Sequence, residues 1–250
     1  MSKNFADLTQ PGLNSRERQE FVTALFDDLA PQYDRFNRAV SLYRDEAWRR
    51  NAIHLLQEQS RGVVLDLAAG TGDLANSARK YGARQVHVFD ISHEMLKLAQ
   101  VKLLAGNGAS AGVGFAQGSA HLLPFRDGSV NGVVSGFAMR NVFHFLDDVL
   151  REIYRVLQPG GRFAILELSQ PRNPLLRLGF RVHLQTIMPL IGRLTTGRQS
   201  PFSYLRQTTM TFLRPEEFKL RLEQAGFQEV IWKRQLLGAI AIHAGIKPAG

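Results

Sequence analysis

A chain of 250 residues with 44% apolar and 21% charged side chains has the length for one well-cored domain and a composition that argues against a disordered or fibrous protein. The absence of cysteine excludes disulfides, thiolate metal sites and a cysteine nucleophile, and suits a reducing cytoplasm. The excess of 31 Lys+Arg over 22 Asp+Glu, a formal charge of +9, suits a polyanionic partner, either nucleic acid or an anionic membrane surface. Residues 1–20 lack the apolar core of a secretory signal, and Lys or Arg interrupts every apolar stretch of membrane-spanning length. The expectation is a cytoplasmic protein, in contact with a membrane at its periphery if at all.

In chain order, Phe21, Leu25, Phe26 and Leu29 recur on one face of a first helix. Tyr33, Asp34 and Asn37 follow it, so residues 1–55 read as an N-terminal helical cap that could fold over a substrate. From Gly62 onward, short apolar runs at 62–67, 85–90, 113–116, 129–135 and 162–168 read as strands buried on both faces. Helices lie between them, such as 93–104 and 146–157, and Pro159-Gly160-Gly161 ends the latter. Residues 171–212 break the alternation and read as a lid or insertion. A helix at 215–225 follows, and then two β-like segments, 228–235 and 238–245, around a Leu-Leu-Gly turn that suggests an antiparallel hairpin at the sheet edge. The pattern predicts a single α/β domain over 1–250: Rossmann-like, a mostly parallel doubly wound sheet with a C-terminal antiparallel hairpin.

The sharpest local signal is VLDLAAGTGDLA, Val64 to Ala75. A strand runs into a turn where Gly70 and Gly72 let the backbone approach a ligand, and the following helix offers unpaired N–H groups. Asp90 ends the next strand, about twenty residues on, where a carboxylate can accept from both hydroxyls of a ribose. NAD and S-adenosylmethionine sites share that spacing. Asp66 and Asp73 favour the second, because carboxylates suit a ligand's ammonium better than a pyrophosphate. The segment GSAHLLPFRDGSV, 118–130, adds Ser119 and Ala120 as candidates around the adenine. The seven histidines show no close metal-ligand spacing, so no metal is expected.

Longer motifs go further. YDRFNRAVSLYRDEAWRR (33–50), DISHEML (90–96), LPFRDGSVNGVVSGFAMRNV (123–142), LREIYRVLQPGGRFAILELSQP (150–171) and the C-terminal LEQAGFQEVIWKRQLLGAIAIHAGIKP closely resemble the ubiquinone/menaquinone biosynthesis C-methyltransferase family, which has the class I methyltransferase fold. The resemblance spans about Phe26 to Pro248. It implies S-adenosylmethionine as cofactor, contacts to it from Thr71, Asp90, Ser119 and Ala120, and methylation of an isoprenoid quinol ring carbon, at the inner membrane face. Two departures stand out. Where the family usually places a cofactor-contacting serine, this chain has Gly136, with Ser135 one step earlier as the candidate. Where the family usually reads Ser-Tyr-Arg-Tyr-Leu, the chain has Pro201-Phe202-Ser203-Tyr204-Leu205, keeping Tyr204 and leaving the quinone ring open.

Methyl transfer from a sulfonium is an in-line displacement, so positioning dominates. Arg140, after the fourth strand, is the candidate to stabilise a developing phenolate, with Asn141 orienting a hydroxyl or water. His144, and also His121, could accept the ring proton. Tyr33, Asn37 and Tyr204 are the candidates for binding the acceptor. The stretch PLLRLGFRVHLQTIMPLIGRL, with Arg177, Arg181 and Arg193, suits an interfacial helix followed by a lid that covers the acceptor. A methyltransferase for another lipid or small molecule, such as a phospholipid amine, stays open as an alternative, as does a non-catalytic cofactor-binding protein. A nucleic-acid methyltransferase is disfavoured, since Ser135-Gly136-Phe137-Ala138 stands where base methylation usually requires Asn/Asp-Pro-Pro-aromatic. The oligomeric state cannot be read from these residues.

Overall fold

The computed structural model describes residues 15–105, 112–196 and 200–250. Residues 1–14 of the expected cap, and the side chains of Pro201, Phe202, Ser203 and Leu205, lie outside the described set. The apolar runs pair into one seven-stranded sheet: β1 (Val63–Leu67), β2 (Gln85–Asp90), β3 (Val113–Gln117), β4 (Val130–Gly136), β5 (Leu157–Leu168), β6 (Gln228–Gln235) and β7 (Ile240–Ile246). The order is β3-β2-β1-β4-β5-β7-β6. The first five strands are parallel; β7 runs antiparallel to β5 and to the edge strand β6. The C-terminal pair therefore closes one side of the sheet as the sequence predicts.

Alternate residues of each strand feed two cores. Leu65, Leu67, Val133, Phe163 and Ile165 pack under α5 (Leu146–Val156) and α9 (Pro215–Gln224). Val64, Val86, Val88, Val134 and Leu166 pack under α2 (Asp45–Leu55), α3 (Asp73–Lys80) and α4 (His93–Leu104). Helices on both faces explain why the strands lack a polar side.

Two boundaries differ from the sequence reading. The fifth strand begins at Leu157, because Pro159-Gly160-Gly161 does not break the chain out of the sheet. It forms an irregularity within β5, with Gly160 at φ 75° and its neighbour bonded to the end of β7: Gly160 N–H donates to the Lys247 carbonyl, and Lys247 N–H to that of Gly161, both at 2.9 Å. The second difference is α1 (Ser15–Ser41), which runs through Pro31. Tyr33, Asp34 and Asn37 thus lie on the helix, not after it. Proline removes a hydrogen bond there, but burial of Phe36 against Leu184 and Met188 of the 171–212 segment offsets the loss. That segment is helical over most of its described part: α6 (Pro174–Val182), a π-helical turn (His183–Ile187), α7 (Met188–Thr196) and α8 (Ser200–Thr211). Phe21 of α1 meets Tyr204 of α8 edge to face at 5.4 Å. Among the described residues no helix is long and apolar enough to cross a membrane.

The glycine turn between β1 and α3 carries a packing requirement the sequence reading assigned to the ligand. Gly72 has φ 77°, and a Cβ there would meet Leu103 at 3.0 Å and the Cβ of Ala99 at 3.1 Å, both on α4. Its missing side chain lets α4 close on α3. Gly72→Ala is expected to lower stability by about 1–2 kcal/mol through backbone strain alone, with further loss if α4 cannot give way; chemical denaturation of the two proteins measures it.

Candidate active site

The carboxyl ends of β1, β2 and β4 open onto two small adjacent hollows. One is lined by Asp66, Ala69, Gly70, Thr71, Asp73 and Gly136; the other by Phe89, Asp90, Ser119, Ala120, Asn141 and Phe145; Ala68 borders both. Asp90 stands between them, its carboxylate accepting from Gly70 N–H at 2.7 Å and Ser92 N–H at 2.8 Å. Those bonds fix its orientation, although burial still raises its pKa. Ser119 donates toward Gln19 of α1 at 3.4 Å and lies 2.7 Å from His121 Nδ1, and the His121 ring stacks on Phe145 at 4.5 Å. Phe145 thus gives the second hollow an aromatic wall, backed by His121.

Asp66 is wholly buried. Its Oδ2 accepts from Ala75 N–H at 2.8 Å, while Oδ1 has no hydrogen-bond partner among the described residues. Burial, reinforced by Asp90 and Asp73, pushes its pKa up to about 7. A buried carboxylate with one unsatisfied oxygen favours a cation beside it. Taken together, the hollows suit a ligand with an ammonium at one end, a diol at the centre and a flat ring at the other.

A third cavity, about 360 Å³ in volume, lies next to the first hollow and is lined mainly by apolar side chains from α1, α2 and the 171–212 segment, including Phe36, Val40, Phe180, Leu184 and Met188. Tyr33, Arg49 and Phe137 line both this cavity and the hollow beside Asp66. Asn37 and Arg140 face the large cavity as well. Burial raises the pKa of Tyr33, with a hydrogen bond from the Asn37 side chain acting the other way. Arg140 is buried and ion-paired to Glu167 at the end of β5, and its Nε has no partner among the described residues. A second, narrower cleft brings Arg140 together with Asn141, His144 and Tyr204. Desolvation lowers the His144 pKa, which favours the neutral ring. Burial pushes the Tyr204 hydroxyl up to about 12.

The candidates nominated from sequence therefore gather around these four adjoining places, with three qualifications, the first being Gly72, which lines none of them. Ser135 is fully buried in β4 and its hydroxyl donates to the Leu67 carbonyl at 2.7 Å, a bond that ties β4 to β1. It is turned into the sheet, and Gly136 lines the hollow in its stead. The Thr71 hydroxyl donates to Asp34 of α1 at 2.6 Å and accepts from Lys102 at 2.9 Å, so it fastens the cap to the glycine turn. Sequence reasoning missed Arg49, Phe137 and Glu167. Arg49 lies inside a quoted motif, but nothing local distinguishes it from Arg50. Phe137 holds φ 60° directly after β4, and Ala68 holds φ 54° after β1; such strain at the ends of neighbouring strands is visible in the backbone alone.

The raised pKa of Asp66 has a defined sign. With the folded value near 7 against an ordinary 3.8, protonated Asp66 favours folding of the ligand-free chain below about pH 4, and this contribution is lost as pH rises through about 7. A cation beside Oδ1 favours the ionised form, so affinity for a cationic ligand is expected to rise with pH and level off above about 7. Asp66→Asn should make the ligand-free protein more stable than the parent above pH 7 in denaturant titrations. It should also weaken S-adenosylmethionine binding and flatten its pH dependence in calorimetry.

Comparison with known proteins accords with this geometry. The ubiE/COQ5 methyltransferase family matches residues 13–247. A demethylmenaquinone methyltransferase from Lactiplantibacillus plantarum is 39% identical over 91% of this chain and 96% of its own length. A ubiquinone/menaquinone biosynthesis C-methyltransferase from Methylococcus capsulatus is 34% identical over 99% of this chain and 100% of its own. Among solved structures, a SAM-dependent methyltransferase from Thermotoga maritima shares the fold at a TM-score of 0.62, with 19% identity, over 90% of this chain and 99% of its own. The chain belongs to the ubiE/COQ5 methyltransferase family and is an S-adenosylmethionine-dependent methyltransferase.

Proposed function

We propose that this chain methylates a ring carbon of an isoprenoid quinol at a membrane surface, with the cofactor in the two hollows and the ring in the apolar cavity. The observation that carries the reading is the shared wall of Tyr33, Arg49 and Phe137: a donor on one side and an acceptor on the other would meet there. The residues fit S-adenosylmethionine. The orphan Oδ1 of Asp66 suits its ammonium, the backbone-held carboxylate of Asp90 suits its ribose, and Ser119, Ala120 and Phe145 suit its adenine. Bound there, the cofactor supplies a methyl group activated on a sulfonium. The names of the relatives, which act on demethylmenaquinone or in ubiquinone and menaquinone synthesis, support a quinol over a phospholipid amine.

Arg140 lines the acceptor cavity and is held by Glu167 so that its guanidinium needs no reorganisation when charge develops on a ring hydroxyl. Ionisation of that hydroxyl makes the adjacent ring carbon nucleophilic. Methylation at that carbon, with the bond from methyl to sulfur broken in exchange, would leave a ring proton to be removed. His144, neutral and sharing a cleft with Arg140 and Asn141, receives it through water. Tyr33 and Asn37 position the ring, and the 171–212 segment, including Tyr204, covers it. The apolar lining keeps bulk water from the acceptor.

The test is transfer of labelled methyl to reduced demethylmenaquinol and to demethoxyubiquinol-type precursors, with phosphatidylethanolamine as a third acceptor. Label on a quinol ring carbon is expected; label on the phospholipid alone overturns the reading. The double variant Arg140→Met with Glu167→Gln removes both buried charges together and avoids stranding a carboxylate. Its turnover should fall roughly 100-fold while S-adenosylmethionine affinity is retained.

A further inference from the structure

Large exposed apolar side chains gather around one opening. Leu42 and Tyr43, 77% and 76% exposed, form the turn between α1 and α2, and Leu237, 75% exposed, follows Leu236 in the turn between β6 and β7. All four hold a left-handed backbone, with φ of 52°, 61°, 55° and 46° for Leu42, Tyr43, Leu237 and Leu236. Glycine or asparagine adopts that conformation at less cost. Leu42, Leu236 and Leu237 line the apolar cavity, so both turns stand at its rim.

The third side of the rim is α6. Leu176 and Phe180 face the cavity, while Leu175, Leu178 and Val182, spaced three and four apart, are exposed. None of its residues is fully buried. Leucine on both sides of a helix is unusual where one side meets water. The charge around it is mainly basic. Between Glu167 and Glu216 the chain has seven arginines and neither an acidic residue nor a lysine; Arg172 and Arg214 pair with Glu216 and Glu217, and Arg177 donates to the carbonyls of Pro171 and Arg172, while Arg181 on α6 and Arg44 at the α1–α2 turn are exposed.

We infer that the Leu42-Tyr43 turn, the outer face of α6 and the Leu236-Leu237 turn form one docking face for an anionic lipid bilayer, with the mouth of the acceptor cavity opening onto the lipid. Apolar tips surrounded by arginine fit a lipid surface, where leucine enters the acyl boundary and guanidinium groups reach the phosphates. A second copy of the chain is a poorer occupant, because a twofold contact would set these arginines against one another. The inference rests on the reading of the apolar cavity as the seat of a tailed acceptor. In this orientation the tail stays in lipid while the ring enters the protein, so the acceptor never crosses water.

The triple variant Tyr43→Asn, Leu175→Gln and Leu178→Gln alters exposed side chains outside the cavity lining. Flotation is measured with vesicles of phosphatidylcholine plus phosphatidylglycerol and with phosphatidylcholine alone, and methyl transfer is measured to a vesicle-borne tailed quinol and to a tail-less soluble one. The parent should bind the anionic vesicles. The variant should bind them roughly tenfold less and lose turnover on the vesicle-borne acceptor in proportion, with turnover on the soluble acceptor unchanged. Arg181→Glu, a milder variant, should reduce the preference for anionic over neutral vesicles, and it serves alone if the triple variant does not fold. Vesicle binding by the variants equal to that of the parent, no vesicle binding by the parent, or a parent dimer that the triple variant dissociates would each overturn the docking face. If the parent binds vesicles yet methylates neither acceptor, the functional reading fails and the docking face stands.

Discussion

Arg49 is the point where the cap, the cofactor turn and the acceptor cavity are joined. Its guanidinium pairs with Asp45 on its own helix and, at 3.2 Å, with Asp73 in the first turn of α3. Asp73 also accepts from Lys102 of α4 at 2.5 Å, and Lys102 reaches Asp34 of α1 at 2.8 Å. Four helices thus close around the glycine turn through two cations and three carboxylates. The cluster is one charge negative before Asp66 and Asp90 are counted. That deficit is part of why Asp66 resists ionisation, and why the adjoining hollow favours a ligand that brings its own positive charge. Buried ion pairs of this kind contribute more to a unique arrangement than to net stability, which suits a cluster whose task is to hold two cavities in register.

The same helix walls both cavities. The first half of α1 lies over the cofactor hollows, where Asp27 accepts from Ser92 at the N-cap of α4 and Gln19 meets Ser119. Its second half carries Tyr33 into the shared wall and Phe36 into the acceptor cavity. The polar contacts that fasten it, such as that of Asp34 with Thr71, are individually worth only about 1 kcal/mol. Burial of Phe21, Leu25, Leu29 and Phe36 adds to them, so one helix closes over both cavities.

How much of this was legible in the sequence depends on the range of the interaction. The strands, the glycine turn and Asp90 were readable because each is set by a local pattern of apolar spacing, small residues and a carboxylate at a strand end. The path of α1 through Pro31 was not, since it depends on the burial of Phe36 against residues about 150 positions away, which no local rule supplies. The Arg140–Glu167 pair joins the ends of neighbouring strands, and Arg49 gains its role from Asp73 on another helix. Ser135 shows the converse: one position along a strand moves a side chain to the opposite face, so proximity in sequence to the expected contact was misleading. Gly72 looked like a residue spared for a ligand, and it also leaves room for α4, a contact no local pattern reveals.

Backbone strain gathers at the walls of the two cavities. Eight non-glycine residues among those described have positive φ, and six of them are Leu42, Tyr43, Leu236 and Leu237 at the cavity rim and Ala68 and Phe137 at the strand ends. Each costs about 1–2 kcal/mol relative to a glycine that would adopt the same turn freely. Side chains at such positions persist where the surrounding structure holds them and where they have contacts that glycine could not make. Phe137 walls both cavities, and Leu42, Leu236 and Leu237 line the opening of the larger one. The strained positions therefore stand at the rim of the larger cavity and at the strand ends where it meets the hollow beside Asp66, set against the well-packed sheet beneath them.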